Sequence, residues 1–377
     1  MALFLPAMFN KIPFSRVNWI TSIFLITTAF LAVTAVPIYL WHFGIDWFQF
    51  GMFFFYTVIT IMSITLGYHR LYSHLSFKAK WPVRLATLLF GACAFENSCF
   101  DWTADHRKHH KHVDHDDDPY DISKGFMWAH IGWLIFKVRP EEPVNNVNDL
   151  MRDKLCMWQH KYVHWIGFVL GVVVPTALAY MVQPTWHYAL GGFLLAGILR
   201  IVVVQHCTFF INSLCHTIGK RPYNTENSAR DSAIMAVFTC GEGYHNYHHA
   251  FQHDYRNGVK PWQFDPTKWM IWVLSKLGLT SNLRRVSDEK ILLAEMREAC
   301  RQADKVKAIE PETALSEKAM EAFHDFSQRL TDSYNELEQA ISDKVTVSKQ
   351  AMVQWQKETR EFVRHVSAIN RPLQSPA

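Results

Sequence analysis

The low net charge of this 377-residue chain argues against nucleic-acid binding. Its formal net charge is only +4, whereas a nucleic-acid-binding protein would carry a strongly basic face. The 7 cysteines are scattered and form no Cys-x-x-Cys pair, a pattern typical of reduced, buried thiols in a reducing compartment. We therefore expect no nucleic-acid partner and no disulfide framework.

The chain starts with a short segment, residues 1–17, that leads into two apolar runs. The runs cover 18–41 and 47–68, carry no charged residue and are separated by a short turn. Each run can cross a hydrocarbon core of ~30 Å, and the first is too long for the core of a signal peptide. The pattern predicts a retained transmembrane hairpin over 18–68.

A weaker apolar stretch follows at 82–100, and it is broken by Arg84, Glu96 and Asn97. This stretch is barely long enough to span a membrane. We predict a helix that lies in or dips into the membrane face, and a fifth span is the alternative.

Two further apolar runs, 164–182 and 187–205, are joined by a short turn around a proline. They predict a second transmembrane hairpin over 164–205. The segments that follow the two hairpins, 69–163 and 206–285, are polar and rich in histidine, and we predict that they form a cap.

An even number of spans returns the chain to the side of the membrane that it left. Basic residues after the first hairpin, including Arg70, Lys78 and Lys80, identify this side as cytoplasmic. The sequence therefore predicts an all-α integral membrane protein with four transmembrane helices, a helical cytosolic cap and cytoplasmic termini. A bacterial inner membrane is the favoured location, with the endoplasmic reticulum as the alternative.

Residues 286–377 have a different character, because charges of both signs alternate there with apolar residues. From Phe323 to Trp355 the apolar residues recur at steps of three and four, and Ser348 is the one polar gap. This spacing predicts an amphipathic helical extension with heptad character. The extension could dock an electron carrier, pair with a second copy or rest on the cap.

Three clusters of histidines lie just outside the predicted spans, on the same side of the membrane. Residues at i, i+3 and i+4 share one helical face, so we expect each His-x-x-His-His triplet to project as a unit. Eight imidazoles packed together without a cation would leave buried polar groups unpaired, so the clusters predict a metal site. The clusters are His69 and His74; His106, His109 and His110; and His245, His248 and His249.

Eight nitrogens exceed the coordination shell of one ion, which implies two metal ions. Imidazole suits zinc, copper, iron or nickel. Two redox-active irons near a membrane favour dioxygen activation, whereas two zinc ions for hydrolysis normally require carboxylate bridges or a positioned base. A metal transporter is disfavoured, because the spans contain hardly any ionisable residue that could form a path.

The three clusters and a series of further landmarks occur in one order along the chain. Together they resemble the membrane acyl-CoA desaturases of the stearoyl-CoA (delta-9) type, whose three histidine boxes are similar to 69–74, 106–110 and 241–249. The likeness runs from about 47 to 279. Its further landmarks are Phe95-Glu-Asn97, Asp101-Trp102, Asp118-Pro119, Gly125-Phe126, His130-Ile-Gly-Trp133, Asn212-Ser-Leu-Cys-His216 and Arg221-Pro222-Tyr223.

The resemblance implies a di-iron centre held almost wholly by histidine, with dioxygen as co-substrate. In the family, one further position contacts a metal through water, and it corresponds to Asn212. The ligands that carry over are His69, His74, His106, His109, His110, His216, His245, His248 and His249.

The resemblance also implies that the acyl chain enters a closed, kinked tunnel while the coenzyme A headgroup lies on the cap. Asn97 and Asp105 match headgroup contacts of the family. Lys137 falls where a basic residue meets phosphate, and Arg139 is near enough to share that role. Trp102 either lines the tunnel or packs against the cap.

The sequence departs from the animal pattern near the expected headgroup. Ala104 stands in place of an arginine, Val138 in place of a lysine and Phe209, another expected substrate contact, in place of a tryptophan. Loss of cations weakens the case for phosphate binding. Acyl-CoA is therefore the expected substrate, with an acyl-lipid or an acyl-carrier protein as the alternative.

The reaction implied by the resemblance is oxygen-dependent formation of a cis double bond, at the delta-9 position, in a saturated acyl chain. The chain contains no His-Pro-Gly-Gly haem signature, so we expect electrons from a separate protein, which could be a b-type cytochrome, a ferredoxin or a reductase. A di-iron membrane hydroxylase of the alkane or lipid type is the alternative function.

Overall fold

The computed structural model of the protein divides into two compact units. The first unit comprises Met1–Gly219 and Ser228–Arg284, and the second comprises Lys220–Asn227 and Arg285–Ala377. The residues that the structure describes are 14–137, 144–307 and 317–373.

Helices make up nearly all of the regular structure of the first unit. One two-stranded antiparallel sheet pairs β1 (Lys78–Ala79) with β2 (Thr280–Ser281). Short helical turns lie at Phe14–Arg16, Ile122–Lys124, Trp128–Gly132, Trp133–Ile135 and Asn148–Met151. The longer helices, in chain order, are α1 (Trp19–Phe43), α2 (Trp47–Ser73), α3 (Trp81–Ala92), α4 (Cys99–His112), α5 (Lys154–Val182), α6 (Trp186–His216), α7 (Ala233–Phe238), α8 (His245–Ala250) and α9 (Pro266–Lys276).

Four of these helices, α1, α2, α5 and α6, are long and apolar enough to cross a membrane. This number confirms the predicted class, an all-helical protein with four spans. The short helix α3 is not one of the four candidates within the described residues, which agrees with a helix at the membrane surface and not with a fifth span.

Three of the spanning helices extend by more than one helical turn beyond the apolar runs that predicted them. Helix α2 continues to Ser73, α5 begins at Lys154, and α6 ends at His216. Hydropathy marks only the part of a helix that contacts lipid, whereas backbone hydrogen bonding continues through the polar turns. These extra turns carry His69 and His216 into the cap.

Buried polar side chains join the spans at the end opposite the cap. Gln49 is fully buried; its Oε1 accepts a hydrogen bond from Tyr39 at 3.0 Å, and its Nε2 donates to the carbonyl of Tyr188 at 3.1 Å. The hydroxyl of Tyr188 in turn donates to Asp46 at 2.6 Å. Polar groups at membrane depth require such internal partners, so these bonds fix the pairing of the two hairpins.

In the part of the second unit that the structure describes there are three amphipathic helices, α10 (Asp288–Lys307), α11 (Glu317–Ser342) and α12 (Lys349–Leu373). The single helical run that the sequence suggested is divided between α11 and α12. Lys344 has a φ of 56°, and the Oγ of Ser348 accepts the N–H of Ala351 at 3.1 Å, so the polar gap is a turn followed by a helix cap. The apolar faces meet in a core that contains Leu292, Met296, Leu330, Trp355 and Phe362.

Candidate metal centre

His69 and His74 reach the same site because helix α2 ends as a π-helix. The segment Ser63–Ser73 is π-helical, and the N–H of His74 bonds to the carbonyl of His69 at 3.1 Å. In a π-helix these bonds join residues five apart, which therefore lie close to one another, unlike residues five apart in an α-helix of 3.6 residues per turn. The two ring centroids are 4.7 Å apart.

The other boxes lie on short helices whose starts are tightly fixed. Helix α4 begins after Ser98, whose Oγ accepts the N–H of Asp101 at 3.1 Å. Helix α8 follows a Gly-Glu-Gly turn in which Gly241 has a φ of +106°, a backbone conformation that favours glycine. A Cβ on Gly243 would collide with the backbone nitrogen of Ala236. This turn brings α8 against the rest of the cap.

The nine histidines that we predicted as ligands lie in two groups of nitrogen donors. Each residue offers one nitrogen, and within each group these nitrogens all lie within 4.8 Å of one another. The first group is His69, His74, His106, His110 and His248, and the second is His109, His216, His245 and His249.

Adjacent histidines in one box belong to different groups. His110 belongs to the first group together with His106, four residues earlier, whereas His109 belongs to the second group. The third box divides in the same way. In each triplet, only the residues at i and i+4 share a group.

The Nε2 atoms within each group converge at the spacing of metal ligands. His69 and His248 approach to 3.0 Å between their Nε2 atoms. In the second group, the Nε2 of His245 lies 3.0 Å from the Nε2 of His216 and 3.0 Å from that of His249. Two nitrogens that are each about 2.0–2.1 Å from one ion lie about 3 Å apart. The spacing therefore fits a shared cation in each group.

Hydrogen bonds between the imidazoles do not account for this convergence. His69 Nδ1 lies 2.9 Å from the carboxylate of Glu242, and His109 Nδ1 lies 2.9 Å from that of Asp118. A neutral imidazole has one N–H, and a carboxylate at Nδ1 holds that hydrogen there. The Nε2 of each ring then presents a lone pair to the centre of its group, as a metal ligand must.

Burial lowers the pKa of six imidazoles of the two groups, and the neighbouring imidazoles lower it further. These rings are therefore neutral at pH 7, the form that binds metal. The pKa lies well below the ordinary 6.5 for His74, His106, His110, His245, His248 and His249.

A buried network of charges holds the ring of His69. Glu242 places Oε2 2.9 Å from His69 Nδ1, and its Oε1 accepts a hydrogen bond from Arg70 at 2.9 Å. Arg70 also donates to Asp265 at 3.1 Å. Burial alone would raise the pKa of Glu242, but the Arg70 guanidinium and His69 hold it below its ordinary value. The negative charge of Glu242 at this distance favours a proton on the Nδ1 of His69.

Asp118 and Asp114 orient the rings of histidines in the second group. Both oxygens of Asp118 lie 2.9 Å from His109 Nδ1. Asp114 accepts a hydrogen bond from the hydroxyl of Ser228 at 2.5 Å, and this hydroxyl lies 2.7 Å from the Nδ1 of His216. Asp118 therefore orients the ring of His109 directly, and Asp114 orients that of His216 through Ser228.

A cavity of about 1360 Å³ passes His69, His106 and His245, which come from both groups. Side chains of the cap line one part of it, including Lys108, Lys111 and Lys124. Side chains of the spans line another part, including Phe24, Leu25, Ile61 and Ile64. A cavity of this kind suits a ligand with a polar head and an apolar chain.

Most of the predicted substrate residues lie along this cavity. Asn212, which is one helical turn before His216, also lines it. Arg139 lies outside the described residues. The predicted substrate residues that line the cavity are Asn97, Trp102, Asp105, Lys137 and Phe209.

Trp102 connects the cavity wall with the first histidine group. Its ring stacks on that of His106, with centroids 4.8 Å apart and planes at 24°. Its Nε1 donates to Glu96 at 3.3 Å. Burial raises the pKa of Glu96 to about 8, so this side chain is a neutral carboxylic acid at pH 7. The backbone on each side of Glu96 is left-handed, with φ of 55° at Phe95 and 66° at Asn97.

Comparison with known proteins assigns the family. The sequence profile of the family described as "Fatty acid desaturase" matches residues 45–276, a range that includes all nine histidines of the two groups. The chain belongs to the fatty acid desaturase family. This assignment agrees with the resemblance that the histidine boxes indicated.

Relatives in the family include proteins of fungi and animals. The chain is 43% identical over 231 residues to "Probable acyl-CoA desaturase" of Schizosaccharomyces pombe, a match that covers 61% of this chain and 48% of that protein. It is 35% identical over 302 residues to "Acyl-CoA desaturase 1" of Saccharomyces cerevisiae, covering 78% of this chain and 57% of the relative. It is 36% identical over 246 residues to "Stearoyl-CoA desaturase 5" of Bos taurus, a match that covers 63% of this chain and 72% of that protein. The matched region thus spans about half the length of the two fungal relatives.

Sequence reasoning missed three of the residues that lie behind the predicted ligands and orient them, namely Glu242, Arg70 and Ser228. Glu242 lies within the third box, and Arg70 directly follows His69, so both were adjacent to recognised motifs. A charged residue next to a buried ligand signals a partner for its other nitrogen. Ser228 carried no such signal, because its contact with His216 depends on the fold of the cap.

Proposed function

We propose that this protein is an oxygen-dependent acyl desaturase that forms a cis double bond in a saturated acyl-CoA. The observation that supports this most is the convergence of nine imidazoles in two groups beside a cavity with an apolar part. Imidazole donors suit iron as well as zinc, copper and nickel, and two relatives of the chain are named "Probable acyl-CoA desaturase" and "Acyl-CoA desaturase 1".

The proposed metals are two iron ions, one in each histidine group. When bound, they supply an oxidant made from dioxygen that is strong enough to remove hydrogen from an unactivated methylene. Two neighbouring carbons of the acyl chain each lose one hydrogen atom. One dioxygen takes up these two hydrogens with two electrons and two protons from an external donor, and it leaves as two water molecules.

The side chains of this protein position the substrate and control the site. His69, His106 and His245 face the cavity, so an acyl chain lying there passes both groups. Trp102, stacked on His106, fixes the wall at this point. Apolar side chains of the spans exclude water from the chain, and Glu242 and Asp118 keep the ligand nitrogens in the required protonation state.

The polar part of the cavity supports a charged headgroup. Lys108, Lys111, Lys124 and Lys137 line it, and they compensate for the arginine and lysine that are replaced at positions 104 and 138. We propose that these ammonium groups meet the phosphates of coenzyme A. Asn97 and Asp105 are proposed as further headgroup contacts.

We also propose that the cap and both termini lie in the cytoplasm, where a separate electron-transfer protein, such as a b-type cytochrome or a ferredoxin, reaches the site. Lys78 and Lys80 follow the first hairpin on the cap side, which agrees with the positive-inside rule.

A direct test supplies the purified, iron-loaded protein with stearoyl-CoA, dioxygen and an electron-donating system, followed by gas chromatography of the released fatty acids. The expected product is the cis-9 monounsaturated acid. The variant His324→Ala should form the same product, because His324 is an exposed histidine of the second unit. A hydroxy-acyl product alone would assign the protein to the hydroxylases, and turnover of an acyl-lipid but not of acyl-CoA would reject the proposed headgroup.

A further inference from the structure

Arg107 is the one residue of the second histidine box whose role the site leaves open. It lies between the predicted ligands His106 and His109, and it lines the cavity beside Lys108 and Lys111. A cation on this wall could bind a phosphate of the substrate, whereas a residue within the box could serve the metal site. The contacts of its guanidinium distinguish these two roles.

The guanidinium of Arg107 donates five hydrogen bonds within the protein. Its Nε donates to the carbonyl of Ser73 at 3.1 Å, and its Nη2 donates to the carbonyl of Tyr72 at 2.7 Å. Its Nη1 donates to the carbonyl of Asn146 at 2.8 Å. Nη1 and Nη2 also donate to the two carboxylate oxygens of Asp149, at 2.7 and 2.8 Å. A guanidinium has five N–H groups, so each of them already has an acceptor in the protein.

Two of these acceptors belong to the last turn of helix α2. The carbonyls of Tyr72 and Ser73 directly precede His74, and both residues are buried. The last carbonyls of a helix have no partner within the helix, and a buried carbonyl needs a donor from elsewhere. Arg107 is that donor. It therefore holds the backbone immediately before a predicted ligand.

Arg107 thereby fixes one ligand-bearing helix against another. His106, the preceding residue of α4, places its Nε2 2.8 Å from the Nε2 of His74, and both histidines belong to the first group. Adjacent residues of α4 thus meet the end of α2, one through its imidazole and the other through hydrogen bonds to the backbone. On the outer side, Arg107 is held by Asp149, whose side chain is 43% exposed. A bidentate pair of this kind fixes the geometry of both side chains.

We propose that Arg107 is a positioning residue of the first histidine group. It holds the end of α2 so that the ring of His74 meets that of His106, and Asp149 in turn holds Arg107. Its charge is used within the protein and not for a phosphate of the substrate. The proposal rests on the proposed iron site, but it does not depend on which acyl substrate the protein converts.

The variants Arg107→Lys and Asp149→Asn test this proposal in the purified full-length protein. Lysine keeps the positive charge but lacks the planar fork, and asparagine removes the charge that Arg107 faces. Each variant is loaded with iron and dialysed against a chelator. Retained iron is then measured, and calorimetry measures the affinity of the loaded protein for coenzyme A.

Asp288→Asn is the matched control for the aspartate variant. Asp288 also pairs with an arginine, since the Nη2 of Arg285 lies 3.2 Å from its Oδ1, but this pair lies on the exposed surface of the second unit. The control should retain as much iron as the parent. Asp149→Asn changes only a partly exposed carboxylate, so it decides the test if Arg107→Lys does not accumulate.

We expect both variants to lose iron from the first group, with an affinity lowered about 10–100-fold, and to bind coenzyme A as the parent does. Mössbauer spectra of protein loaded with enriched iron identify the group. The signal lost should be the one that His248→Ala loses and not the one that His109→Ala loses, because these histidines belong to different groups.

Two outcomes would overturn the role of Arg107. The first is iron retention in Asp149→Asn equal to that in Asp288→Asn. The second is weaker binding of coenzyme A by Arg107→Lys together with full iron retention, which would make Arg107 a phosphate contact. A parent protein that binds no iron would reject the metal site itself and this proposal with it, so the two failures are distinguishable.

Discussion

The carboxylate of Glu242 lies 2.9 Å from the Nδ1 of His69, and both side chains are nearly inaccessible to solvent. Neither residue is free to reorient, because Glu242 also accepts hydrogen bonds from Arg70 and from the side chain of Asn257. The ring of His69 is thereby held with its Nε2 directed at the first histidine group. We therefore expect the affinity of that group for metal to depend on Glu242, which is not itself a member of the group.

Replacement of Glu242 by glutamine is expected to lower iron affinity about 10–100-fold, the usual effect of losing a partner that orients a ligand. The amide is nearly the same size, but it removes the charge that stabilises Arg70 and keeps the hydrogen of His69 on Nδ1. Dialysis of the purified variant against a chelator, followed by measurement of bound iron, checks this prediction.

Glu298→Gln is the matched control, because Glu298 is also a buried glutamate, 3% exposed, but belongs to the second unit. It should retain as much iron as the parent. Equal retention by Glu242→Gln and the parent would show that the carboxylate has no influence on the ligand.

The architecture was largely predictable because lipid imposes a simple rule on sequence. A span must be apolar over about 20 residues, and the four apolar runs matched helices α1, α2, α5 and α6. Helix ends were not predictable in this way, because the turns that continue into the cap are polar. The break between α11 and α12 was also missed, because the apolar spacing continues across the turn at Lys344.

The histidines of the site were recognisable from spacing and resemblance, but their grouping was not. Nothing in the sequence indicates that His109 and His110 belong to different groups, since that depends on where α8 and the end of α6 meet α4. The π-helical turn that brings His69 to His74 is likewise a tertiary feature. Sequence spacing therefore identified the donors, whereas the fold decided how they are shared.

Replacing one histidine in each group tests whether both groups bind metal. His248→Ala and His109→Ala are expected to lower iron content and abolish desaturation, because each group loses one of its convergent nitrogens. His324→Ala, an exposed histidine of the second unit, should leave both unchanged. Iron content determined together with product formation checks the prediction, and full activity of His248→Ala would contradict the assignment of that residue.

The Gly-Glu-Gly turn before α8 should tolerate no added side chain. Gly243→Ala introduces a Cβ that meets the backbone of Ala236, and backbone cannot move aside as a flexible side chain can. We expect the variant to bind little iron or to fail to accumulate, because His245 directly follows this turn. Gly51→Ala is the control, since a Cβ there meets nothing within 4 Å, and it should keep its iron and its melting temperature.

Glu96 should make the stability of the protein depend on pH in a defined window. Burial raises its pKa from the ordinary 4.5 to about 8, so between these values the folded protein holds a proton that the unfolded chain has released. Its contribution to stability therefore falls as pH rises from about 4.5 to about 8, and it is constant above that range. Glu96→Gln keeps a neutral side chain beside Trp102 and removes this dependence.

Thermal unfolding of the metal-free parent and of Glu96→Gln, compared across this range, measures the effect without interference from iron. The two melting temperatures should be similar near pH 4.5, and the variant should become the more stable protein as the pH approaches 8. Histidines titrate in both proteins alike, so their contribution cancels in the difference. A difference that stays constant across the whole range would mean that Glu96 is already ionised in the folded protein, and that the wall of the cavity carries a charge beside the apolar chain.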